Sequence, residues 1–346
     1  MGTWVALARW ILWPLSAFYS AVMSARNTMY DRGWLKSYEL GVPIVSIGNL
    51  TMGGTGKTPI LAELLRWSTE KGLRVAVVSR GYKGQVTTWA RVATDGDSRV
   101  FGDEPLMLAQ KFPEVPIYVG ADRVAVVREL LSREKVQLIF TDDTFQHRRL
   151  KRNLDVLILD CTEAPSHYEV VPLGRGREDK SGLNRSDFVI LNKVNLASPE
   201  KKQELVSFVE ELRGDREIPI IECEYYIHRF SRLDGQGARE ASAYEKVALV
   251  SGVGRPQTFE DLMKKHFDVR KHFIFRDHHD YTESDVEKLI AQVDKLGVTR
   301  VITTEKDAVK LRRFSNLKEK IWVAELAPKL SLRVKSLYEK ILSQVL

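Results

Sequence analysis

Lys57 and Thr58 close the run Met52-Gly53-Gly54-Thr55-Gly56-Lys57-Thr58, and residues of these types in this order suit a bound polyphosphate. Glycines let the backbone wrap close to phosphate oxygens. A helix starting there offers unpaired N–H groups and the positive end of its dipole. Lys57 can reach the β- and γ-phosphates of a nucleotide, and the Thr58 hydroxyl can hold Mg²⁺. The usual pattern asks for glycine at position 51, where this chain has Thr51. The match is therefore a variant loop carried by Gly53, Gly54, Thr55, Gly56, Lys57 and Thr58, and its setting between a strand and a helix supports it.

Phosphoryl transfer to an alcohol needs the phosphate charge cancelled, the reactants aligned, and a base for the hydroxyl proton. A metal-holding carboxylate belongs at the end of a neighbouring apolar strand, and Leu138-Ile139-Phe140-Thr141-Asp142-Asp143 supplies two. Asp103-Glu104 is a second acidic pair, although a helix-capping turn would read the same way. Asp103, Asp142, Asp143 and the histidines are the candidate bases. Asp277-His278-His279-Asp280 reads as a metal site, as a capping loop, or as one half of a carboxylate–imidazole pair. In such a pair the imidazole orients the carboxylate and shares its proton. Leu191-Asn192-Lys193-Val194-Asn195 is like the base-reading motif of GTPases, but Asn195 replaces its aspartate, so strict guanine selection is not expected. Thr304-Glu305-Lys306-Asp307 reads as a salt-bridge cluster with no catalytic role. Arg148 to Arg152 reads as a solvated face near enough to the site to meet an anionic headgroup.

The elements that must position these residues follow from the apolar pattern. Short β-branched runs begin at Val42, Arg74, Val115, Val136, Asp155, Phe188 and Ile218, with helical stretches between several of them. Strands alternating with helices predict a P-loop NTPase-like parallel sheet with helices on both faces. Polar, glycine-bearing sequence near Tyr226 to Ala243 reads as a hairpin or linker, after which Lys246-Val247-Ala248-Leu249-Val250 opens a second α/β run. The expected organisation is a kinase domain over 26–223, a hairpin linker over 224–243 and a smaller α/β domain over 244–346. A chain of 346 residues is long enough for this. The 44% apolar and 29% charged composition is that of a folded protein. A net charge of +7 favours anionic partners. Two cysteines, Cys161 and Cys223, without a Cys/His cluster argue against a zinc site or a disulfide framework and fit a reducing, cytoplasmic setting.

Residues 1–25 stand apart as an apolar, Trp-rich segment. Arg9 interrupts the apolar run and no charged leader precedes it, so a signal peptide is a poor reading. At helical spacing Arg9, Ser16, Ser20 and Asn27 fall on one line, and Trp4, Leu7, Ile11, Leu15, Phe18 and Val22 fall opposite. That pattern predicts an amphipathic helix lying in a membrane surface, with a helix docked on the protein's own core as the alternative.

Taken together, the motifs resemble the tetraacyldisaccharide 4′-kinases, the lipid A 4′-kinases. The resemblance is carried by Val45 to Thr51 with Gly53 to Pro59, by Ser79-Arg80-Gly81-Tyr82, and by Gly102-Asp103-Glu104-Pro105. It continues in Gly120-Ala121-Asp122-Arg123, in Asp142-Asp143 followed by Phe145-Gln146-His147, and in Ser251-Gly252-Val253-Gly254. Asp277-His278-His279 and Thr304 to Asp307 complete it, in the family's order. The resemblance implies ATP-dependent phosphorylation of the 4′-hydroxyl of a tetraacyl glucosamine disaccharide 1-phosphate at the cytoplasmic face of the bacterial inner membrane. It implies Asp103 as base paired with His278, with Lys57 and Glu104 in the catalytic group. It implies Thr58, Glu104, Asp142 and Asp143 serving Mg²⁺ and the phosphates. Arg80, Arg123, Gln146, His147 and Arg177 would meet the acceptor or the transferring phosphate, with Arg175 competing for the place of Arg177. The expected partners are the lipid acceptor and a membrane surface, with no nucleic acid. Thr144 stands where the family has glycine, so either that turn differs or glycine was not needed there for a positive φ. A membrane-associated NTPase switch and a soluble small-metabolite kinase are the alternatives. Met52 stands where the switch ATPases carry an extra lysine, which counts against the first.

Overall fold

The computed structural model describes residues 3–345 apart from 83, 236, 240–244, 299, 318 and 319, and leaves aside the side chains of 3–8, 238, 239 and 316. One sheet runs through the whole molecule. Its strands are β1 (Ile44–Gly48), β2 (Val75–Ser79), β3 (Ala90–Arg91), β4 (Ile117–Val119), β5 (Leu138–Asp142), β6 (Leu154–Asp160) and β7 (Phe188–Asn192). They continue as β8 (Ile220–Arg232), β9 (Ala238–Arg239), β10 (Lys246–Ser251), β11 (Asp268–Ile274), β12 (Arg300–Thr304) and β13 (Ile321–Leu330). The helices are α1 (Thr3–Asp31), α2 (Lys57–Glu70), α3 (Ser98–Phe101), α4 (Asp103–Lys111), α5 (Arg123–Arg133), α6 (Pro199–Arg213), α7 (Pro256–Lys264), α8 (Glu283–Leu296), α9 (Glu305–Leu311) and α10 (Val334–Val345).

The strand order is β11-β10-β12-β13-β8-β7-β6-β1-β5-β2-β4-β3, with β9 paired to β8. All pairings are parallel except β13 with β8, β8 with β9, and β3 with β4. The expected mostly parallel α/β sheet is present. β1, β5, β6 and β7 are buried along their whole length, as strands covered on both faces must be. Within the stretch read as a hairpin or linker, β8 runs as far as Arg232, pairs antiparallel with β9 (Phe230 opposite Arg239) and pairs along β13, so the two halves share backbone hydrogen bonds.

β1 lies between β5 and β6, in register Ile47 with Asp142 and Ile47 with Val156. The chain leaves β1 in one direction for α2 while its neighbours come from later in the sequence. Such a switch point opens a crevice at the carboxyl ends of the strands. In the second half β10 and β12 pair in parallel, Val250 opposite Thr303, so the loop after Ser251 and the start of α9 emerge side by side.

Candidate active site

Lys57 is the first residue of α2, directly after the glycine-rich loop. Gly56, just before it, has φ 81°, and a Cβ there would lie 2.5 Å from the Asn192 amide nitrogen and 2.9 Å from the Tyr225 hydroxyl. The loop is thus clamped from outside as well as bent from within. Asn192 donates to the Thr55 carbonyl at 2.7 Å, and the Tyr225 hydroxyl donates to the Gly56 carbonyl at 3.0 Å. These two residues lie at the end of β7 and in β8. They explain the fate of the Asn192-Lys193-Val194-Asn195 run. Asn192 holds the loop, Lys193 pairs with buried Asp160 at 2.6 Å, and Asn195 bonds the Tyr225 backbone at 2.7 and 2.9 Å. Asn195 is therefore committed to the protein and does not face a base.

The carboxylates arrive from β5. Asp142 is buried, and its Oδ1 has no hydrogen-bond partner. Burial, and then the nearby Glu104 carboxylate, push its carboxyl up to about 7. Asp143 beside it goes the other way. Burial opposes its charge, but Lys57 at 3.3 Å and Arg177 at 2.8 Å outweigh this and hold it down at about 2. Asp143 has φ 56°, and with Lys193 (φ 61°) and His278 (φ 58°) it is one of the non-glycine residues with positive φ, all of which border the cleft. Thr144 is not among these residues, so the turn has its left-handed residue one place earlier and asks nothing of position 144. The Thr144 hydroxyl is buried against those of Thr141 and Ser46.

Asp103 opens α4, which packs against α9 of the other half. His278 crosses to it from the loop after β11, with Nδ1 2.9 Å from Asp103 Oδ2. Burial works against the Asp103 charge. The His278 hydrogen bond and the Lys310 and Lys306 cations more than offset it, so its carboxyl stays below the usual range. Both lysines lie on α9. Lys306 Nζ is 2.9 Å from His278 Nε2 and 3.8 Å from Glu104, and Lys310 Nζ is 3.2 Å from Asp103. The sequence reading took the Thr304 to Asp307 run for a salt-bridge cluster, and there Glu305 pairs with Lys111 at 2.8 Å and Lys306 with Asp277 at 3.0 Å. The i,i+4 spacing of Lys306 and Lys310 sets both on one helix face.

The Gly53 to Thr58 loop, Arg80, Asp103, Glu104, Arg123, Asp142, Asp143, Gln146, His147, Arg177 and His278 border one cleft of about 840 Å³, whereas Arg175 and His279 are not among its lining residues. Arg80 reaches it from the end of β2 and is exposed. Arg123 is buried, and burial, then Arg80, lowers its guanidinium to about 10. Gln146 donates to the Asn49 carbonyl at 2.9 Å and to Glu178 at 3.0 Å. His147 is held at about 4, chiefly by burial and then by Arg123. Arg177 bonds Asp143, while Arg175 lies along the loop near Gly53, so Arg177 is the arginine that sits among the carboxylates. Tyr19 and Met23 of α1 also line the cleft.

The match with known proteins is decisive. Residues 8–346 fit the family model described as tetraacyldisaccharide-1-P 4′-kinase. The chain belongs to that family. The tetraacyldisaccharide 4′-kinase of Bdellovibrio bacteriovorus is 40% identical over 338 residues, covering 96% of this chain and 98% of that one. The enzyme of the same name from Flavobacterium johnsoniae is 33% identical, covering 88% of each. The crystal structure of LpxK from Aquifex aeolicus in complex with ATP superposes with a TM-score of 0.78 at 27% identity, covering 98% of this chain and all of that one. Family membership makes the protein an ATP-dependent kinase of lipid A biosynthesis.

Proposed function

We propose that this kinase moves the γ-phosphate of ATP onto the 4′-hydroxyl of a tetraacyl disaccharide 1-phosphate, with Asp103 as the base. The observation that carries the reading is that one cleft holds the Gly53 to Thr58 loop, the Asp103–His278 pair and two residues of α1. In the reaction the acceptor oxygen bonds the γ-phosphorus, the bond to the β–γ bridging oxygen breaks, ADP leaves with that oxygen, and the hydroxyl proton passes to Asp103. Lys57 and the loop N–H groups neutralise and hold the phosphates. Arg80, Arg123 and Arg177 add positive charge around the transferring group, and Gln146 and His147 border the acceptor side.

The residues present suit Mg²⁺. Among the described residues no three His, Cys, Asp or Glu side chains form a metal-holding group. However, Mg²⁺ commonly takes only one or two carboxylates and completes its shell with phosphate and water. The unpartnered buried Asp142 Oδ1, beside Asp143, Glu104 and the Thr58 hydroxyl, offers that donor set. When bound, the ion neutralises charge on the β- and γ-phosphates.

A membrane surface is part of the same reading. No helix among the described residues is long and apolar enough to cross a membrane. α1 turns its polar line inward: Arg9 pairs with Glu169 at 2.7 Å, Ser16 donates to the Val170 carbonyl at 2.8 Å, and Asn27 donates to Glu178 at 2.8 Å. The opposite line faces out, with Ile11 70%, Leu15 58%, Phe18 69% and Val22 49% exposed, and Trp10 and Trp13 beside it. The side chains of Trp4 and Leu7, on the same expected line, lie outside the described residues. A contiguous exposed apolar face of this kind fits insertion into the headgroup region and disfavours a soluble-metabolite kinase. We place the protein at the cytoplasmic face of the inner membrane, with the acceptor's acyl chains on the α1 side of the cleft and no nucleic-acid partner.

Incubation with labelled ATP and the lipid disaccharide monophosphate should yield a bisphosphate, and absence of that product with a folded protein would sink the reading. In vesicle flotation, removal of residues 1–25 should leave the protein in the unbound fraction. Undiminished flotation would assign the anchor to another surface.

A further inference from the structure

Lys306 and Lys310 sit one helical turn apart on α9 and reach the two ends of the Asp103–His278 pair from the far side of the cleft. A lysine ammonium has donors only, so at 2.9 Å from Lys306 Nζ the His278 Nε2 must accept. The imidazole proton then sits on Nδ1, pointed at Asp103 Oδ2 2.9 Å away. Lys306 is itself held by the Asp277 carboxylate at 3.0 Å. At the other end Lys310, 3% exposed, lies 3.2 Å from the same Asp103 Oδ2 and 3.4 Å from Asp307. Asp307 is itself held by the Gly252 N–H at 3.0 Å and the Tyr281 hydroxyl at 3.1 Å. The His278 hydrogen bond and the closest approach of Lys310 both fall on Oδ2, which makes Oδ1 the oxygen for an acceptor hydroxyl.

We infer that Lys306 and Lys310 are positioning residues for the transfer step: Lys306 holds the Nε2 end of the His278 ring while Asp103 holds the Nδ1 end, and Lys310 pairs by charge with the Asp103 carboxylate, so that the base presents one defined oxygen. This rests on the reading of Asp103 as the base. The arrangement also makes the base dependent on α9 being seated against α4, since His278, Lys306 and Lys310 all come from the second half of the chain while Asp103 comes from the first.

The test is a double-mutant cycle on the full-length protein in detergent, with ATP and the lipid disaccharide monophosphate. Lys306→Met and Lys310→Met keep the side-chain bulk and remove the charge. Each should lower kcat by about 10- to 100-fold, the cost of a misplaced reacting group, with KM for ATP little changed. Combined with Asp103→Ala, each should add almost nothing, because residues acting as one unit are non-additive. For ¹⁵N-labelled protein the His278 ring should carry its proton on Nδ1, where Asp103 accepts it, and Lys306→Met should shift the Nε2 resonance, which loses its lysine donor, while the proton stays on Nδ1. Lys310 is buried, so Lys306→Met, at a partly exposed site, keeps the test alive should the Lys310 variant fail to fold. If Asp103→Ala lowers kcat but folded Lys306→Met does not, or if their effects multiply, the positioning role is wrong. If Asp103→Ala leaves kcat unchanged, the base assignment itself has failed.

Discussion

The proposed phosphate loop, Gly53 to Thr58, and the proposed transfer pair, Asp103 and His278, border one cleft, yet they are built in opposite ways. The loop is six consecutive residues, Gly53 to Thr58, at a strand–helix junction, and much of its geometry is local: φ of 110° at Gly53, 81° at Gly56, and α2 starting at Lys57. The transfer pair joins residues 175 positions apart in the chain, and its supporting lysines come from a third element. A local site tolerates rearrangement of distant parts. A site assembled from two halves is complete only when those halves are packed, which suits a reaction whose ATP must not be spent on water.

The largest break in this comparison should come from Lys57→Ala. Removing the charge that meets the phosphates should cost at least ~10²-fold in kcat, the scale for loss of one electrostatic contact to the transferring group. The melting temperature should stay near that of the parent, since Lys57 pairs only with Asp143 within the site. Near-normal turnover would remove the loop from the chemistry. Asp103→Ala should follow, lowering kcat by ~10²-fold, as for loss of a general base. ATP binding, followed with a fluorescent analogue, should be retained. A loss of ATP affinity equal to the loss of turnover would mean that the two regions are not separable.

Gly56→Ala tests how far the loop is local. Its Cβ would press on Asn192 and Tyr225 from β7 and β8, at a φ that costs an alanine about 1 kcal/mol or more. Weaker ATP binding and a lowered melting temperature together are expected, and an unchanged KM would show that the clamp is slack. The smallest effect concerns His147, which burial holds at about 4 against an ordinary 6.5. The unfolded chain takes its proton first, so stability should fall as pH drops from 6.5 toward 4 and level off below. Replacing His147 with Gln should flatten that slope in melting curves. A parallel slope in the variant would place the titration elsewhere.

Several details were legible only as alternatives. The chain at position 144 left open whether the turn differs or whether glycine was dispensable. The structure puts the positive φ on Asp143 and buries the Thr144 hydroxyl in a small polar cluster. Asn195 resembled a base-reading residue because its neighbours fit the motif, but it is taken up by the Tyr225 backbone. Lys306 lay in the Thr304 to Asp307 run of the family resemblance with no catalytic role assigned, Lys310 was marked only by helical spacing, and a lysine on a short helix is usually solvated. Their importance lies in what packs against them.

The sequence by itself determined the phosphate loop, the α/β alternation, the two acids ending β5 and the family, because these depend on contiguous residues and on an apolar period of two or 3.6. It also marked out the two faces of α1. Only the tertiary structure decided which face of α1 meets the protein and that β8 is shared by both halves. It also set Asp103, His278, Lys306 and Lys310 as one contact group. Those depend on β8 pairing with β13 and on α9 packing against α4. Such contacts join residues far apart in the chain, and no local pattern of residue types encodes their partners.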